Sequence, residues 1–155
     1  MLGIILATVL ISVPIYPADK VKDAQSLYEW ERKEFTYQAE PEGQDYWQTP
    51  QETFSKKGGD CDDLAFFNEA VLKQLGYKEV YAIAIKGRDK FFHAICVVKV
   101  EGKYRYFSNQ YYSYFKSFES IEEIVTFECT NYKWWAEISL PHEIKNFHHL
   151  VTSGG

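Results

Sequence analysis

The sequence predicts an α+β fold in which N-terminal helices, one of them opening on a cysteine, pack on an antiparallel sheet. Three observations predict it. Leu64, Phe67, Val71, Leu72 and Leu75 recur at helical spacing after Gly58-Gly59-Asp60-Cys61, and Gly76 offers a stop. Val80 to Ile85, Phe91 to Val100 and Tyr104 to Phe107 are rich in β-branched and aromatic residues and are parted by the turn-forming stretches Lys86 to Lys90 and Glu101 to Lys103. Hydrophobic residues make up 46% of the 155, and aromatic residues 17%, which suffices for one core in a chain too short for two domains of usual size.

Taken in order, Leu2 to Ile15 is nearly all apolar and is followed by Tyr16-Pro17-Ala18-Asp19-Lys20. That length suits a signal-peptide core and falls short of a stable membrane span, which needs roughly 20 apolar residues. Residues 1–18 therefore read as a signal peptide, or as an N-terminal hydrophobic segment buried in the fold, and residues 19–150 as the domain. The first alternative implies a periplasmic or secreted protein, the second a cytoplasmic one. Asp23 to Phe35 reads as a helix, with Ala24, Leu27, Tyr28 and Glu31 marking its turns. A linker through Pro41, Gly43 and Pro50 leads to the cysteine helix, and the three strands follow as a meander. Ser120 with Glu123 signals a capped short helix through Phe127, and Tyr132 to Leu140 a last strand ending at Pro141. His142, His148 and His149 fall in a polar, solvated tail.

The formal net charge of −5 and the absence of a Lys/Arg cluster argue against nucleic acid as a partner. The cysteine segment argues for chemistry. In the first turn of a helix, unpaired backbone N–H groups and the positive end of the dipole favour thiolate over thiol at Cys61, and the same groups can hold an oxyanion. Asp60, Asp62 and Asp63 oppose this, since carboxylates disfavour a neighbouring thiolate; they cap the helix, pair with cations or bind a metal. His93 interrupts the strand Phe91 to Val98, and Ser108 and Asn109 lie near its far end on the next strand, where either can orient the imidazole. Cysteine, histidine and a polar orienter are what thiol-based acyl transfer requires. Cys96 and Cys129 either pair as a disulfide or stay as two buried thiols. Trp47, Tyr111, Tyr112 and Tyr114 either wall a cleft for an extended peptide or pack in the core.

Asp45 to Thr53, with its Trp47-Gln48-Thr49-Pro50, then Gly58 to Ala65, then His93-Ala94, together resemble the bacterial transglutaminase-like cysteine peptidases. The likeness spans Tyr37 to Asn109 and implies a papain-like or transglutaminase-like core. It implies a cysteine peptidase or amidase in which Cys61 attacks a protein or peptide substrate to form a thioester and His93 moves the proton. Transglutaminase-type transfer to an amine, or a catalytically inactive peptide-binding module of the same fold, are the alternatives. Ser108 stands where the family carries an Asp, with Asn109 beside it, and Asn109 is the preferred orienter. No cofactor is required for the chemistry, but the resemblance makes Asp60 and Asp62 candidate calcium ligands.

Overall fold

A computed structural model describes residues 14–41 and 43–149. The apolar segment at Leu2 to Ile15 lies almost wholly outside the described residues. Helix α1 runs Ala24–Glu34, entered through an Asp23 cap whose carboxylate accepts from the Ser26 amide at 2.8 Å. Strand β1, Thr36–Tyr37, precedes a segment expected to be linker, but a helix forms there: α2, Pro50–Lys56. Thr49 and Glu52 cap it reciprocally, and Pro50 occupies its first position, where the missing N–H costs nothing. Strand β2, Gly58–Gly59, pairs in parallel with β1, and α3, Cys61–Gln74, follows at once.

Strands β3 (Val80–Gly87), β4 (Phe92–Val100) and β5 (Lys103–Ser108) form the expected meander. A short β6, Tyr111–Tyr112, helix α4, Ile121–Glu128, and strands β7, Tyr132–Ser139, and β8, Glu143–His149, complete the order. The main sheet is antiparallel throughout, in the order β6-β5-β4-β3-β7-β8. The polar tail is thus a strand after all: β8 pairs with β7, and His148 stacks on Trp135 with ring centroids 4.0 Å apart. Its residues are all exposed, so the solvation was legible although the strand was not.

The core explains why β3 and β4 read as unbroken apolar runs: both faces of the sheet are covered. Ala82, Ala84, Ala94, Cys96 and Val98 face α1 and α3, meeting Leu27, Phe67, Val71 and Leu72. Ile83, Ile85, Ile95, Val97 and Tyr106 face the other way, onto Ile124 and Val125 of α4. Cys96 and Cys129 pack in these opposite clusters, so the disulfide is ruled out and all three cysteines are free thiols. Among the described residues no helix is long and apolar enough to cross a membrane.

Candidate active site

The approach to Cys61 is built on two glycines. Gly58 has φ 145°, and a Cβ there would lie 2.0 Å from the Thr36 carbonyl oxygen; one on Gly59 would lie 2.4 Å from the Asp63 carboxylate. Only glycine lets the chain pass this close to β1 before entering α3 with Asp60 as N-cap. Asp63 makes the cap that holds: its carboxylate accepts from the Asp60 amide at 3.2 Å, from the Gln48 amide at 2.7 Å and from the Gln48 side chain. Of the three acids that flank the cysteine, one is therefore structural and two remain.

Those two face each other. Burial, then the charge of Asp60 and a hydrogen bond with it, push the Asp62 carboxyl up to about 9. Burial also raises Asp60, against the opposing hydrogen bond from Asp62. Further acids, Asp63, Asp45 and Glu40, add to the strain. One oxygen of each, Asp60 Oδ1 and Asp62 Oδ1, is buried without a hydrogen-bond partner. A ligand atom from each of Asp60, Cys61 and Asp62 lies within 4.8 Å of the others. Two adjacent carboxylates with orphaned oxygens and further acids nearby fit a hard divalent cation.

Burial, with Asp60 and Asp62 adding to it, pushes the Cys61 thiol up to about 11. The backbone amides of Ala94 and Asp62 pull it back toward thiolate. The first of these matters for the layout, because Ala94 follows His93 on β4: the thiol meets one residue of that strand and the imidazole hangs from its neighbour.

His93 Nε2 lies 2.8 Å from Ser108 Oγ. The register Cys96↔Phe107 brings Ser108 onto the same sheet face as His93, a diagonal neighbour across the ladder. Asn109 is one residue further, in the turn between β5 and β6 with φ 51°, and its Oδ1 is buried without a partner. A hairpin turn requires a residue that tolerates the left-handed region, and Asn does so readily. The geometry thus sets Ser108, not Asn109, on the imidazole. Ser108 Oγ also reaches Glu128 Oε2 at 3.4 Å, a contact with α4 that sequence reasoning missed. Burial lowers the His93 pKa, and the Glu128 charge partly offsets that.

The aromatic residues divide. Trp47 is buried between Phe66 and His142, with ring centroids 5.1 and 4.6 Å away. Tyr112, expected at a cleft, stacks instead on Phe107 in the core at 4.4 Å, because the alternation of β6 turns it inward. Its neighbour Tyr111 stays 48% exposed. Tyr37, which no motif singles out, has a hydroxyl that feels the site: burial raises its pKa first, then Cys61, Asp60 and Asp62.

A cysteine at a helix start, set against a strand that carries the histidine of an antiparallel sheet, defines a transglutaminase-like architecture. The transglutaminase-like domain family matches residues 6–134, and the chain belongs to that family. Solved structures of LapG from Legionella pneumophila share the fold. The calcium-bound form aligns with a TM-score of 0.51 at 15% identity, over 83% of this chain and 70% of that one. The EGTA-treated form gives 0.50 at 16%, over 72% and 60%. No curated protein matches the chain significantly.

Proposed function

We propose that this chain is a cysteine peptidase or amidase acting on a protein or peptide substrate. Cys61 Sγ attacks the substrate carbonyl while His93 takes the thiol proton; His93 then returns it to the leaving amine, and water resolves the thioester. Backbone amides of the first turn of α3 face the developing oxyanion. The observation that carries this reading is that α3, which opens on Cys61, packs on β4, the strand that carries His93, while Ser108 of the next strand holds the His93 ring.

Asp60 and Asp62 would hold calcium, the cation present in one LapG structure of this fold. When bound, it supplies positive charge that offsets the two acids and so favours thiolate at Cys61. Exposed aromatic groups, Tyr37 and Tyr111 among them, are available to a substrate. The apolar run at Leu2 to Ile15 supports a periplasmic or secreted setting.

The test is turnover of a defined peptide pool, read by mass spectrometry with calcium present. Cys61→Ala is expected to abolish cleavage with an unchanged circular dichroism spectrum, and retained cleavage sinks the mechanism. Adding a primary amine to the same reaction reports the second half: amine-tagged products would reassign it from hydrolysis to transamidation.

A further inference from the structure

The strand position where a carboxylate would orient His93 is filled by Ser108, yet a carboxylate stands behind that serine. Glu128 is the last residue of α4, on the sheet face that His93 and Ser108 share. Its Oε2 lies 3.4 Å from Ser108 Oγ, and its Oε1 accepts from the Tyr106 hydroxyl at 2.5 Å. We infer that Glu128 is the positioning residue of this site, acting on His93 through the Ser108 hydroxyl. The inference rests on the reading of Cys61 and His93 as the reacting pair.

Hydrogen-bond chemistry gives the chain a direction. A carboxylate only accepts, and a serine hydroxyl has one proton to give. With that proton turned to Glu128, the serine oxygen accepts from His93 Nε2–H. The neutral ring then carries its proton on Nε2 and leaves Nδ1 bare, the form a general base needs. When the ring takes a second proton from the thiol, the Glu128 charge lies one hydroxyl away to stabilise the imidazolium.

Three observations set Glu128 apart from an ordinary surface acid. It closes α4, where the negative end of the helix dipole disfavours a carboxylate, and no basic residue shares that last turn. Tyr106, whose ring is buried in the core, commits its hydroxyl to holding it. Glu128 is also the charged group that acts on His93, opposing the effect of burial.

The test follows the His93 ring by proton NMR titration, its signals assigned by their loss in His93→Ala. Alkylation of Cys61 by iodoacetamide is followed in parallel at neutral pH on the full chain with calcium, with peptide mapping to separate Cys61 from Cys96 and Cys129. In Glu128→Gln the His93 midpoint is expected to fall and alkylation to slow roughly tenfold, the factor that one pKa unit carries. Ser108→Ala should do the same, and adding Glu128→Gln to it should change neither reading further, as two members of one chain require. If Glu128→Gln does not fold, Ser108→Ala decides alone: an unchanged His93 midpoint overturns the proposal. Unchanged readings in Glu128→Gln, with alkylation still slowed by His93→Ala, overturn the positioning role and leave the thiol and imidazole paired. Alkylation indifferent to His93→Ala overturns both.

Discussion

Asp63 ties Gln48 to the start of the cysteine helix: its Oδ1 accepts the Gln48 amide at 2.7 Å, and its other oxygen takes the Gln48 side chain and the Asp60 amide. With Asp63 only 1% exposed, water cannot replace these bonds. Asp63→Ala would orphan three donors at once, and is expected to cost about 3 kcal/mol or more, read as a lower urea midpoint. Asp63→Asn keeps one acceptor and should recover part of the loss. A midpoint within error of wild type for Asp63→Ala would show that the segment before α2 is not anchored there.

Gly58 is expected to be the least replaceable glycine. An added Cβ meets backbone, not a side chain that can swing away, and the residue already sits at φ 145°. Gly58→Ala should lose about 4 kcal/mol or more, or fail to fold. Gly76 is the control, since its φ is 95° but nothing lies within 4 Å of a Cβ there. Gly76→Ala should cost only the left-handed backbone term, about 1–2 kcal/mol. Thermal melts of the two variants compare them directly, and equal losses would refute the steric account.

These two residues also show where the sequence was legible. The Cys61 helix and the β3 to β5 meander rest on local patterns, helical spacing and apolar runs between turns, and both form as expected. Helix α2 carried a visible signal, Thr49-Pro50-Gln51-Glu52, that was masked by its short length and the lack of apolar periodicity. Strand β8 had no such signal, for all seven residues are exposed and only pairing with β7 makes it a strand. At the site, Cys61 and His93 stood out by their company. The choice between Ser108 and Asn109 turned on a register and one positive φ, which spacing alone does not contain. Glu128 was out of reach because its contact with Ser108 depends on α4 crossing the far face of the sheet.

Glu31 carries a pH dependence unrelated to the chemistry. It is buried in α1, and burial holds its carboxyl well above the usual range, with the Asn68 side chain opposing. The sign follows from which state releases its proton first. At low pH both states are protonated and the contribution is whole; as pH rises the unfolded chain ionises first, so stability falls until the folded carboxyl ionises too. Glu31→Gln removes that slope. It should match wild type near about pH 4 and exceed it near about pH 8 by on the order of 2 kcal/mol, measured by urea unfolding at both. A constant difference between the two proteins across that range would contradict the buried neutral carboxyl.

Asp62 makes the cation a matter of protons. Its carboxyl is pushed up to about 9 by burial and by Asp60, so without metal the folded protein keeps a proton there that the unfolded chain has lost. Stability in EGTA should therefore decline as pH rises from the ordinary carboxylate range, 3.8, toward about 9. Calcium needs both acids ionised, so binding near neutrality must expel that proton. Calorimetry in two buffers of different ionisation enthalpy should report release of about one proton per calcium, and affinity that strengthens with pH. At a hundredfold excess over Kd, calcium should stabilise the fold by ~2.7 kcal/mol. Asp62→Asn should lose both the proton release and the calcium-dependent rise in Tm, because a neutral amide neither holds the proton nor completes the charge. Tight calcium binding with no proton release would place the ion elsewhere and leave Asp60 and Asp62 as a carboxyl pair sharing one proton.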